Sequence, residues 1–373
     1  MNKTIKIILG IVVLAIIVIL VVVFYKPAPK EAIKIGFIGP LSGGAAIAGE
    51  NELNAINLAL EDLGNKIAGR EVKIIVEDGK CDGKDAATAI QKLINIDGVK
   101  IILGGICSAE TLGAAPIAES NKVILFSAFS SSPDITHAGD YIFRNDPSDA
   151  DWGDIAKEMK EGKIAMISEN SDYSMGIRKL VKTGLEELGK EVVADEVYSP
   201  GEKDFRTYVT KIKATNPQAI FINPSTQTTA AGMIAKEIRE FGLNVVLYGN
   251  FQLGGADSLA VAKEAAEGAI IFDAPIVDPG NKKGIDFISK YKERYGVPYS
   301  EWEVAARYDT VFIIAKAIEK CGEKTDCIKD HLYSMSPYRG AVGDYKFDEN
   351  GDVVGLKSFS IKKIVNGKPE VIK

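Results

Sequence analysis

Apolar and polar positions alternate along this chain at two periods, and from residue 33 onward the two take turns. Short runs rich in Ile, Val, Leu and Phe predict strands at Ile33–Ile38, Val72–Glu77, Val99–Leu103 and Val123–Phe126. Between them, apolar residues recur three and four apart, as in Leu53, Ile56, Leu60 and Leu63. That spacing predicts helices over Glu50–Leu63, Asp85–Ile96 and Thr111–Glu119. A short strand at Tyr141–Arg144 leads into Asn145-Asp146-Pro147-Ser148, which reads as a crossover to a second alternating set. That set has helices at Trp152–Met159, Ser174–Leu188, Phe205–Ala214, Thr229–Phe241 and Asp257–Glu267. Its strands are Lys163–Ser168, Glu191–Tyr198, Ala219–Asn223, Val245–Tyr248 and Ala269–Phe272. Residues 276–282 read as a second crossover. Helices Lys283–Tyr295, Trp302–Lys320 and Asp326–Met335 follow, and the tail, Tyr338–Ile372, switches to hairpin strands. Alternation of this kind predicts an α/β fold of two doubly wound, Rossmann-like lobes.

The N-terminus departs from the pattern. Ile7–Tyr25 is 19 residues without a charge, preceded by Lys3 and Lys6, long enough to cross a bilayer. A secretory signal would carry a shorter apolar run and then a small-residue cleavage site. Here the run ends in Val-Val-Val-Phe-Tyr, and no cysteine follows to accept a lipid. The expectation is an uncleaved, single-pass anchor and linker over residues 1–31, with the folded part outside the cytoplasm.

Charge narrows the partners. With a net charge of −6 and no basic stripe interleaved with aromatics, the chain has no nucleic-acid signature. His137 and His331 lie far apart without neighbours at ligand spacing, so no metal site is expected. The four cysteines, Cys81, Cys107, Cys321 and Cys327, suggest two disulfides outside the cytoplasm, with three connectivities open. The closeness of Cys321 and Cys327 leaves Cys81 to pair with Cys107.

Candidate chemistry gathers between Val99 and Asp134. Two strands end there in turns of small polar residues, Gly104-Gly105-Ile106-Cys107-Ser108 and Ser127-Ala128-Phe129-Ser130-Ser131-Ser132. In an open α/β sheet, ligands sit at the carboxyl ends of strands, where helix N-termini offer N–H groups. Two adjacent turns rich in Ser, without Lys or Arg, suit a small carboxylate, although Ser also serves as an ordinary helix cap. Other motifs fail. Gly39–Gly44 lacks the third-position glycine of a dinucleotide loop and the lysine of a P-loop. No Ser sits in a nucleophile elbow, so no enzymatic activity and no cofactor are expected. Phe347–Asp352 reads as a turn and not a calcium loop, since counting from Asp348 puts Val353 where that loop needs Gly.

The segments IKIGFIGPLSG (33–43), VEDGKCDGKDA (76–86), GGICSAET (104–111), FSAFSSSPDIT (126–136), SPGEKDFRTYVTKIKATNP (199–217) and KFDENGD (346–352) resemble the type 1 periplasmic binding proteins of branched-chain amino acid transporters. The resemblance runs from about residue 33 to the C-terminus. It implies two lobes, 32–147 with 276–338 and 148–275 with 339–373, that trap a ligand between them. Three crossovers would join them near Arg144–Asp149, Asp273–Asp278 and Tyr338–Val342. It also supports the Cys81–Cys107 bond and implies an ABC permease as partner. Ser108 matches the hydroxyl that holds the ligand carboxylate, and Phe129 and Ser131 match contacts of the next turn. Ser130 and Gln227 join the candidate set, and Tyr173 matches an aromatic that closes from the second lobe.

Two departures set this chain apart. The acid that faces the ligand ammonium in the family falls here on Phe251, and an aromatic of the first loop falls on Ala48. A desolvated ammonium without a counter-charge is costly. Either Glu110 or Glu303 substitutes, or the ligand is a short amide, urea or small carboxylate. A sensory ectodomain is the other use of the same fold, and only six residues precede the apolar run to carry a signal inward.

Overall fold

The computed structural model describes residues 31–372. The Ile7–Tyr25 run expected to be an anchor lies outside the described residues. Among these residues, no helix is long and apolar enough to cross a membrane.

Two sheets carry the chain. The first comprises β1 (Ile33–Gly39), β2 (Lys66–Ile67), β3 (Arg70–Asp78), β4 (Ile101–Leu103), β5 (Ile124–Ser127) and β6 (Ile142–Arg144). Their order is β2-β3-β1-β4-β5-β6, all parallel except the short β2. Register pairs Ile35 with Ile74 and Gly36 with Ile102. Helices cover both faces, which is why the strands are apolar throughout. On one face Ile35, Phe37 and Phe126 pack with α1 (Ala46–Asp62), α8 (Lys282–Tyr295) and α9 (Glu301–Cys321). On the other, Ile38, Ile102 and Leu125 pack with α2 (Gly83–Asn95) and α3 (Ser108–Ser120). A Cβ on Gly36 would lie 3.0 Å from Leu93 of α2, so this close helix–strand approach needs glycine. The long α9 is buried on nearly every side, and its Arg307 pairs with Glu52 of α1 at 2.6 Å (Nε to Oε2).

The second sheet comprises β7 (Lys163–Glu169), β8 (Glu191–Tyr198), β9 (Ala219–Asn223), β10 (Val246–Asn250) and β11 (Ile270–Asp273), extended by β15 (Ser360–Val365) and β16 (Lys368–Val371). The order is β8-β7-β9-β10-β11-β15-β16, with the last two antiparallel. Helices α4 (Asp172–Glu187), α5 (Arg206–Ala214), α6 (Ala230–Glu240) and α7 (Ala256–Ala262) cover it. In both sheets, the parallel strands run second-first-third-fourth-fifth in chain order. Each therefore has one switch point, between β1 and β4 and between β7 and β9.

Three expectations change. The helix expected at Trp152–Met159 is a 3₁₀ segment over Asp149–Lys157. The helix expected at Asp257–Glu267 splits into α7 and a 3₁₀ turn, Lys263–Ala266. The third crossover does not fall at Tyr338–Val342. After α10 (Thr325–Ser334), the strands β12 (Tyr338–Arg339), β13 (Asp344–Phe347) and β14 (Val353–Val354) stay with the first core. Phe347 packs edge-on against Phe126 at 5.4 Å, Asn145 donates to the Tyr345 hydroxyl at 3.1 Å, and Arg144 pairs with Asp352 at 2.6 Å. The chain reaches the second sheet only after Leu356. Phe347–Asp352 is a turn as expected, with Asp348 Oδ1 accepting from the N–H of Asn350 and Asp352.

Candidate functional site

The loop from β4 into α3 is organised by Glu110, a buried side chain at the third position of α3. Its Oε2 accepts from the N–H groups of Ile106 and Cys107, both at 3.0 Å, and its Oε1 accepts from Cys81 N–H at 2.9 Å. The Cys81–Cys107 disulfide joins the same two loops, and Cys321–Cys327 is the second bond. Burial pushes the Glu110 carboxyl up while the three N–H donors pull it down. Glu110 is therefore committed to the loop, which removes it as a counter-charge for a ligand.

Ser108 opens α3, and its Oγ accepts from Ser132 N–H at 3.2 Å. The hydroxyl proton is left to donate, the property a carboxylate site needs. Ser130 behaves otherwise. It is buried, and its Oγ shares a 2.7 Å hydrogen bond with Thr111 and donates toward the Gly105 and Ile106 carbonyls. Its hydroxyl laces the two turns together from the inside, so it leaves the candidate set. Ser131 donates to Asp149 Oδ2 at 2.8 Å, and the Trp152 indole donates to Asp149 Oδ1 at 2.7 Å. The Phe129 ring lies 6.5 Å from that of Tyr299.

The second sheet repeats the device. Glu169 ends β7 and is buried; its carboxylate accepts from the N–H groups of Ser225 and Thr226, at 2.9 and 3.1 Å, and from the Thr226 hydroxyl. This positions the loop after β9, where Gln227 donates to Thr229 at 3.2 Å while its own Oε1 is buried and unpartnered among the described residues. Tyr173, at the start of α4, meets Phe251, just past β10, edge-to-face at 6.3 Å. Thus Ser108, Phe129 and Ser131 sit on the rim of one sheet, and Tyr173, Gln227 and Phe251 on the rim of the other.

Acids line the space around these rims. Burial pushes the Tyr173 hydroxyl well up, and so do the charges of Asp149, Asp273 and Asp146. Asp146 is buried and accepts from the Trp302 indole at 3.2 Å. Its carboxyl is raised by burial and then by Asp149. Glu303, on the first turn of α9, is raised well up by burial and then by Asp146, and its Oε2 is buried without a partner among the described residues. Asp146 and Asp149 stand out only in three dimensions, since in sequence they belong to a crossover and a cap.

The comparisons agree with this geometry. A family model described as "Periplasmic binding protein" matches residues 32–358. The leucine-, isoleucine-, valine-, threonine- and alanine-binding protein of Pseudomonas aeruginosa is 30% identical over 340 residues, 88% of each chain. The Leu/Ile/Val-binding protein of Escherichia coli K12 is 28% identical over 344 residues, covering 90% of this chain and 91% of its own. Among solved structures, a leucine-binding protein from Thermotoga maritima superposes with a TM-score of 0.79 at 25% identity, over 92% of this chain and 98% of its own. The branched-chain amino acid transporter substrate-binding protein of Streptococcus pneumoniae, solved with isoleucine, gives a TM-score of 0.76 at 25% identity, covering 92% and 99%. Two doubly wound sheets and a family match running over residues 32–358 place this chain in the periplasmic binding protein family.

Proposed function

We propose that this chain is the extracytoplasmic solute-binding component of an ABC importer, and that it holds a branched-chain or similar small amino acid between two lobes. The family is one of solute binders and not of enzymes. What supports the ligand reading is the Ser108 hydroxyl, which accepts from Ser132 N–H and keeps its proton to donate, together with the aromatic pair Tyr173–Phe251 on the rim of the other sheet. A carboxylate at Ser108 and an aliphatic side chain against the rings fit those chemistries, and the relatives named above bind leucine, isoleucine and valine. The lobes we assign are 32–147 with 276–356, and 148–275 with 357–372. An ABC permease is the partner implied by the family.

Phe251 supports a second reading, a ligand without an ammonium, because a ring attracts a cation for only about 0.5–2 kcal/mol. A thermal-shift panel of leucine, isoleucine, valine, alanine, small amides and small carboxylates on the purified protein separates the two. A ligand at a hundred times its Kd adds about 2.7 kcal/mol, a rise of roughly a few degrees. The first reading expects that rise with branched-chain amino acids; a rise with amides or carboxylates alone contradicts it. We further infer that Ile7–Tyr25 is retained as a membrane anchor. Native protein whose N-terminal sequence starts near Glu31 would overturn that.

A further inference from the structure

We propose that Glu303, with Asp146 beside it, is the counter-charge that binds the ligand ammonium in this chain, taking the part that Phe251 cannot play. The proposal rests on the cleft being an amino-acid site. An ammonium that leaves water needs an anion within hydrogen-bonding reach, and most acids around the cleft are already engaged. Glu110 serves three backbone N–H groups, and Glu169 serves two and a hydroxyl. Asp149 takes Ser131 and the Trp152 indole, Asp273 pairs with Lys362 at 2.6 Å, and Glu52 gives Oε2 to Arg307, its Oε1 staying unpartnered among the described residues beside that fixed cation. Asp146 gives one oxygen to the Trp302 indole. Glu303 keeps an Oε2 that is buried with no partner among the described residues.

The local sequence makes that orphan oxygen unexpected. Ser300-Glu301-Trp302-Glu303 is a capping-box pattern, in which the Glu carboxylate returns to the N–H of the capping Ser. Only half of the box forms: Ser300 Oγ accepts from Glu303 N–H at 3.4 Å, while no hydrogen bond from Ser300 N–H to the carboxylate is present among the described residues. The carboxylate instead lies against its own backbone N–H, and its Oε2 is left without a partner among the described residues. The charges acting on it are Asp146 after β6, Glu52 on α1 and Asp273 at the end of β11, while the neighbouring Tyr299 hydroxyl is raised by burial and then by Glu303 and Asp273. Asp146 is buried and Glu303 partly so, and Arg144, the cation that acts on Asp146, is already tied to Asp352, so an incoming cation would relieve a standing cost there. On the opposite rim, Gln227 Oε1 is a second buried, unpartnered acceptor for an ammonium that has three protons to give.

The test is calorimetric titration of the full chain with leucine and with 4-methylpentanoate, which is leucine with hydrogen in place of the ammonium. Glu303→Gln should weaken leucine about ten- to a hundredfold and change 4-methylpentanoate less than about threefold. If Glu303→Gln does not fold, Glu303→Asp, which keeps the charge and shortens the reach, should shift the leucine-to-analogue ratio in the same direction. An unchanged ratio, including equal weakening of both compounds, overturns the assignment of Glu303. Failure of wild-type protein to bind any amino acid overturns the functional reading beneath it.

Discussion

Glu110 shows how much one side chain decides here. Three backbone N–H groups from two loops converge on it, and the disulfide beside it ties those loops covalently. Replacing it by Gln keeps the shape and turns one acceptor into a donor that faces other donors. Glu110→Gln should therefore cost about 1.5–3 kcal/mol in urea unfolding. Stability equal to wild type would mean that the disulfide alone holds the loop. The serines of the two turns could be read in the sequence as a group but not one by one. Ser108 accepts from Ser132 N–H and keeps its proton to donate, while Ser130 turns its hydroxyl into the Gly105 and Ile106 carbonyls, although both sit in turns of small residues at strand ends. The difference comes from where the neighbouring turn lands, which no local spacing encodes. Glu303 and Glu110 looked equivalent for the same reason.

At the scale of elements, strand and helix identity followed from periodicity, because covered strands leave unbroken apolar runs and helices leave stripes. What periodicity did not carry is which core an element joins. β13 alternates exposed and buried positions, as a hairpin strand would on either sheet; it is Tyr345 on Asn145 and Phe347 on Phe126 that bind it to the first. Helix α9 illustrates a conflict between stability and the site. Burial raises its Glu303 carboxyl, as it raises those of Asp146 and Glu52, so in the ligand-free protein the folded state holds protons that the unfolded state gives up. A raised carboxyl contributes stability that is complete below the unfolded carboxylate range near pH 4 and lost as pH rises through the folded value. Ligand-free Glu303→Gln should accordingly melt higher than wild type at pH 8, by roughly 1–3 °C, and the gap should close as pH falls toward 4. A gap that stays constant with pH would show that charge burial is not its source.

The whole molecule is two copies of one plan. The parallel strands of each sheet run in the same order, and each rim is set by a buried glutamate, Glu110 or Glu169, gripping backbone N–H groups of the loops around it. This symmetry was legible as two successive strand–helix alternations, and the family likeness lay in motifs at the strand ends. Ligand identity was not, because it depends on acids brought together from α9, from the crossover after β6 and from the end of β11, and the crossover lies more than a hundred residues from the other two in sequence. The claim at the centre is that one amino acid is held by both rims at once. Equilibrium titration of leucine against wild type, Ser108→Ala and Tyr173→Ala tests it most directly. Both variants should melt, without ligand, close to wild type, and both should bind leucine about tenfold or more weakly, since each removes contacts from a different sheet. Leucine affinity that survives either substitution unchanged would contradict a site shared between the two rims.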